Sequence, residues 1–159
     1  MTLAEHDIKE LLEKAKDALI SSPELINVDD ANIYIAVSLD VVPSASAFPC
    51  IGIKDGSIER ERISDWAWNV HMELHIGIYQ LLQAGEKAAM GTDPQIFGLL
   101  DLVTEVRTVL DHNYLNVAGV YMQSLAQEEE SELLDATEMA VQRKILTYTY
   151  SKRVYRTIA

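Results

Sequence analysis

The chain has 159 residues, 48% apolar and 24% charged, which suits one ordinary core and is too short for two comfortable domains. Its formal net charge of −12 disfavours nonspecific binding to nucleic acid backbone or to an anionic membrane surface, because both need a basic footprint. A single cysteine, Cys50, excludes an internal disulfide, and no apolar run approaches the roughly 18 residues of a bilayer span.

The start, Met1 to Asp7, lacks the basic region and apolar stretch of a secretory signal, so a reduced, cytosolic product is expected. The charge is uneven. Residues 1–142 hold 25 acids against 8 bases, whereas residues 143–159 hold Arg143, Lys144, Lys152, Arg153 and Arg156 with no acid. An acidic body with a basic C-terminal tail over 151–159 can attract a second copy, or the tail can neutralise its own acidic neighbours.

Thr2 and Glu5 fit a capping box, and Ile8, Leu11, Leu12, Ala15 and Leu19 recur at helical spacing, so the first element is an amphipathic helix. Ser21-Ser22-Pro23 ends it. Ile33, Ile35, Val37, Leu39 and Val41 then alternate with smaller or polar residues and predict a strand over 33–41. The loop-like stretch from Pro43 to Pro49 leads into a short apolar strand, Cys50-Ile51-Gly52-Ile53. Asp55-Gly56 reads as a turn, and the charged Ser57–Arg62 that follows as an exposed loop or hairpin arm.

From Trp66 to Ile78 every second residue is apolar: Trp66, Trp68, Val70, Met72, Leu74, Ile76 and Ile78. A period of two over that length predicts one very long strand, which would reach about 43 Å where a compact domain of this size is about 39 Å across. Burying the seven side chains is worth on the order of 10–20 kcal/mol before entropy, as an upper bound. The other face, Ala67, Asn69, His71, Glu73, His75, Gly77 and Tyr79, can meet water, a lumen or another polar chain. Gly77 would allow a bulge or bend.

A loop or short helix is expected over 82–90. Asp93-Pro94 then signals a second helix with Ile96, Leu99, Leu100, Val103, Val106 and Leu110 on one face, lying across the sheet and ending near Asp111-His112-Asn113. Tyr114 to Leu125 fits neither template. Glu128–Glu132 is a like-charge block expected in a solvated loop, and Met139 to Tyr150 reads as the closing strand. The fold class is therefore α+β: a mainly antiparallel sheet with one very long strand over about 66–79 and two main helices packed on one face, in a single domain over 1–159.

No catalytic, cofactor-binding or metal residue is assigned. Phosphate-cradling, dinucleotide-binding, serine-elbow and Cys-x-x-Cys motifs are absent from the sequence. His71, Glu73 and His75 share a strand face and include zinc-ligand types, but the outer Cβ atoms stand roughly 13 Å apart on a straight strand, too far for one ion. A metal-dependent enzyme on that face remains an alternative, as does an acidic nucleic-acid mimic suggested by the charge and by the 128–132 block. Cys50 beside Pro49 reads as a core residue rather than a nucleophile. Glu59 and Glu61 read as solvated, and Trp66 and Trp68 as buried in a core or interface.

Together the helix over Ile8–Leu19, the strand over Ile33–Val41, the Phe48–Ile53 strand before a charged arm, the long strand over Trp66–Ile78, the helix over Pro94–Leu110 and a closing strand holding Arg143, Lys152 and Arg153 resemble the tail terminator, or tail-completion, proteins of long-tailed bacteriophages and related minor tail and head–tail joining proteins. The resemblance implies a subunit that closes into a ring, commonly of six, on the end of the tail tube. Its partners would be its own copies, the tail tube protein and head connector proteins, in the virion tail and in the host cytoplasm during assembly. It implies no catalysis and no cofactor. Deleting residues 152–159 is expected to weaken the oligomer.

Overall fold

A computed structural model describes residues 3–25, 27–41, 48–81, 98–136 and 139–155. Its spine is the expected long strand, here β3 (Ala67–Leu81), flanked by β2 (Cys50–Ser64) and β6 (Met139–Tyr155). The remaining elements are α1 (Leu3–Ser21), a 3-10 turn (Asp30–Asn32), β1 (Ile33–Ile35), α2 (Leu99–Leu110), β4 (Val120–Glu128) and β5 (Glu132–Ala136). The sheet order is β1-β2-β3-β6-β4, with β5 also on β6. Among the described residues only β1 and β2 run parallel, so the α+β reading with a mainly antiparallel sheet holds.

Alternation along β3 sorts the two faces. Val70, Met72, Leu74, Ile76 and Ile78 are buried with Ile51 and Ile53 of β2 and Leu146, Tyr148 and Tyr150 of β6. Both helices cover that face. α1 contributes Leu11, Ala15 and Leu19, and α2 contributes Leu99, Leu102, Val103, Val106 and Leu110. Leu100 lies off the apolar stripe of α2 and is exposed, and Leu102 takes the place expected for it. The Thr2–Glu5 capping box, the 82–90 segment and the Asp93-Pro94 start with Ile96 lie outside the residues whose side chains are described.

Several expectations are corrected. Trp66 is not part of the long strand: it sits with Asp65 in the tight turn joining β2 to β3 and is 52% exposed. Asp55-Gly56 is not a turn. β2 continues through it with a β-bulge, because the register steps from Asp55↔Leu74 to Ile58↔Met72. A Cβ on Gly56 would fall 2.7 Å from both Glu73 Cβ and His75 Nε2, so the position needs a residue without one. Ser57–Arg62 is thus the hairpin arm. Gly77 neither bulges nor bends, staying in register between Gly52 and Ile145.

The strand expected over 33–41 stops at Ile35. After Ala36 N–H donates to Ile53 O (2.8 Å), the chain leaves the sheet edge and carries Leu39 to the face away from the helices, where its Cδ2 lies against Gly52 and Gly77. Val37, 95% exposed, and Val41 point outward instead of into a core. Alternating apolar residues arose here from a chain that crosses a sheet end, not from a ladder.

The ambiguous 114–125 stretch is a turn followed by a strand. Leu115 (φ 59°) and Asn116 (φ 54°) hold left-handed backbone and Leu115 and Val117 are buried, so the apolar spacing obeys neither period before β4 begins at Val120. The acidic block is also divided. Glu128 ends β4, Glu132 begins β5, and only residues 129–131 form a loop. The basic terminal stretch is no tail as far as Tyr155: residues 151–155 are β6, paired with β3 throughout and with β4 at Ser151 and Lys152. Deleting 152–159 would therefore strip rungs from the middle of the sheet and cannot report on assembly alone.

Ile76→Ala, which empties a fully buried site, is expected to cost about 2–5 kcal/mol in urea unfolding. Val37→Ser should change stability by less than about 0.5 kcal/mol. Equal costs would restore a buried strand over 33–41.

Candidate interaction surface

The face of the sheet away from the helices is polar through its middle. Rows across β2, β3 and β6 read Lys54, His75, Thr147; then Glu59, His71, Ser151; then Glu61, Asn69, Arg153. Residues opposite one another in a ladder point the same way, so these side chains stand together. His71 Nδ1 is 2.7 Å from Ser151 Oγ, and His75 Nδ1 is 2.9 Å from Thr147 Oγ1. On their other sides, His71 Nε2 lies 3.7 Å from Glu61 and His75 Nε2 lies 3.9 Å from Glu73.

Each imidazole is thus turned toward β6, and the His71, Glu73 and His75 set does not converge on a point. Among the described residues no group of three or more His, Cys, Asp or Glu side chains could hold a metal ion. The seryl and threonyl partners on β6 had no sequence signal linking them to the histidines, because 72 to 80 residues separate them along the chain.

One end of this face is closed. Phe48 packs there against the Cys50, Tyr79 and Val141 cluster, Leu39 lies against Gly52 and Gly77, and Arg143 reaches the Leu39 carbonyl. Arg143 Nη1 donates to Leu39 O (2.9 Å) and to Asp40 Oδ1 (2.7 Å), and Nη2 donates to Glu132 Oε2 (2.6 Å). Tyr79 Oη also donates to Leu39 O (2.6 Å). Burial works against the Arg143 charge, yet the bonds and charges of Asp40 and Glu132 outweigh it and hold the proton more tightly. The sequence marked Arg143 only as one base in a cationic stretch. Its side chain is 8% exposed and is spent inside the molecule.

Lys144 is likewise 3.7 Å from Glu128, which also lies 4.0 Å from Arg107. The acidic block therefore pairs internally at Glu128 and Glu132 and does not present a uniform nucleic-acid-like stripe. An open cleft of about 530 Å³ lies between α2, β4 and β6, lined by Val103, Arg107, Asp111, Glu128 and Lys144. Its charges pair off across it, Arg107 with Asp111 at 3.1 Å and with Glu128.

Cys50 is fully buried, and burial pushes its thiol up to about 12. At neutral pH it is a packed thiol and no nucleophile. The opposite end of the face is exposed and aromatic. Ile63, Trp66 and Tyr155 sit at the hairpin tip and the end of β6, and Tyr121 and Met122 start β4. The Arg153 guanidinium lies 5.7 Å over the Tyr121 ring and donates to Asn69 (3.2 Å).

Among the described residues no helix is long and apolar enough to cross a membrane. Neither a family model nor a curated protein matches the chain. Its fold is similar to that of a chain in the virion of a native gene transfer agent (GTA) particle, with a TM-score of 0.58 and 12% identity over 91% of this chain and 95% of that one.

Two measurements follow from this geometry. Arg143→Met removes the part-buried bonds to Asp40 and Glu132 and one of two donors to Leu39 O, Tyr79 Oη being the other, and should cost about 1–3 kcal/mol, against less than about 1 kcal/mol for Asp40→Asn, whose side chain is mostly exposed. Burial also raises the Tyr34, Tyr79, Tyr148 and Tyr150 phenols above their ordinary 10.0, as it raises Cys50 above 9.0. These groups hold protons more tightly when folded, so their contribution is full below the ordinary values and is lost progressively as pH rises from those values to the raised folded ones. The urea midpoint should fall progressively above about pH 9. A midpoint flat into the alkaline range would mean that these groups are not buried.

Proposed function

We propose that this protein is a structural subunit of a phage-like tail, which closes into a ring on the end of the tail tube, stops its growth and offers a surface to the head connector. It works by binding and not by catalysis. The observation that carries this reading is the likeness in fold, over nearly the whole of both chains, to a component of a gene transfer agent virion. The sheet architecture supports it. One face is committed to the core, and the other is closed at one end, polar through its middle and bordered at the opposite end by exposed aromatic side chains, the composition of a surface kept for partners.

The histidines suit such a face. Held by hydroxyls on β6 and flanked by carboxylates, they line a hydrogen-bonding surface. Light scattering across a concentration series should find oligomers above the monomer mass, and electron microscopy of tail tubes incubated with the protein should find tubes capped at one end and halted in length. A strict monomer that leaves tube length unchanged would overturn the reading. Stoichiometric zinc, lost with an activity in His71→Ala, would replace it with the enzyme reading.

A further inference from the structure

Among the described residues the sheet has an uncovered edge along part of β2 and another along β4, and they lie level with one another. Following the ladders across β2, β3, β6 and β4, Lys54 shares a row with His75, Thr147 and Gln127; Ile58 with Met72, Tyr150 and Gln123; Glu59 with His71, Ser151 and Met122; Arg60 with Val70, Lys152 and Val120. β1 covers the outer edge of β2 only at Ile51–Ile53, and β5 sits beside β6 only over 139–143. Among the described residues, then, β2 from Lys54 onward and β4 from Val120 to Gln127 carry no neighbouring strand on their outer sides. Strand sense alternates across these four strands, so β4 runs opposite to β2.

A copy rotated about an axis parallel to the strands would bring its β4 alongside β2 in antiparallel sense and at the same height. We infer that β2 residues 54–60 of one copy pair with β4 residues 120–127 of the next, continuing one sheet from subunit to subunit. This rests on the reading of the protein as a ring-forming subunit and specifies its contact. Such a contact is heterologous, the kind that closes into rings. Seven residues of β2 and eight of β4 span the shared rows, so a single bulge keeps them in step.

The two edges differ as partners should. Solvent-facing edges are normally guarded by charge or proline, yet β4 has neither from Val120 to Gln127 and exposes Tyr121 and Met122. The β2 arm is charged, with Glu59 and Glu61 on the polar face. At the matching height on the other side stands Arg153, one strand in from the edge beyond Gly119, whose carbonyl accepts from Arg153 N–H (3.3 Å). Joining the edges sets the glutamates of one copy toward the arginine of the next.

The geometry also sets the curvature. Four strands about 4.8 Å apart take about 19 Å per copy, so six copies would enclose a bore about 37 Å across between backbones. The helix layer needs more circumference than the sheet and belongs outside, which turns the His71 and His75 face inward.

The test is a Glu59→Cys/Met122→Cys double variant. Paired strands place these Cα atoms about 4.5–5.5 Å apart, within disulfide range. Mild oxidation should give a ladder of covalent multimers from the double variant and none from either single variant, Cys50 being buried. Met122→Lys/Ser124→Lys should raise the concentration for half-assembly by about tenfold or more at an unchanged urea midpoint. Dimers from Met122→Cys alone would mean that β4 pairs with β4, and would overturn the inference. Oligomers that neither cross-link at 59 and 122 nor respond to the lysines would overturn it while leaving the ring intact. A native protein monomeric at every concentration would overturn both.

Discussion

Pairing between β3 and β6 runs without a break from Ala67↔Tyr155 to Leu81↔Val141, and the rest of the molecule is arranged around it. A strand buried as β3 is cannot be left unpaired, since each backbone N–H and C=O taken out of water must find a partner. β2 answers on the other side over nearly the same span. The strand that looked too long for its own domain is therefore central, and its length is absorbed by two neighbours of similar length. Free backbone is displaced outward, to the arm of β2 and to β4.

Because β3 is locked on both sides, its alternation is imposed on the whole sheet. The apolar face takes both helices and one continuous core. The opposite face cannot be covered in the same way and is divided. One end is capped by the chain after β1, fastened where Arg143 and Tyr79 converge on Leu39 O. The middle keeps histidines and carboxylates at the surface, with the buried Thr147 and Ser151 hydroxyls holding the imidazoles from β6. A buried arginine bonded to a carbonyl and two carboxylates sets one geometry for that crossing segment, which nonspecific apolar packing alone would not.

Those divisions bear on assembly. Charge asymmetry along the sequence suggested that a basic end of one copy meets the acidic body of another, but Arg143 and Lys144 are engaged within their own subunit. What is left for a neighbour is backbone at the edges and a polar face between them. Contacts of that kind suit the proposed role, in which the subunit would join copies of itself and still present a wetted surface to other proteins.

Local periodicity by itself determined α1, β3 apart from Trp66 and the apolar face of α2 apart from Leu100, and strand-type composition marked β6 as far as Tyr150, because a run of like residues in one element needs no knowledge of its neighbours. The order of the elements so read carried the α+β class. Tertiary structure alone decided the rest. Leu39 alternates like a strand residue yet crosses a sheet end, because Gly52 and Gly77 leave room for it there. Asp55-Gly56 has turn composition yet is a bulge, because β3 holds β2 extended through it. Arg143, Asp40 and Glu132 become one cluster only when chain segments about a hundred residues apart are brought together. Which edges stay open depends on the order of strands, and no single segment encodes that order.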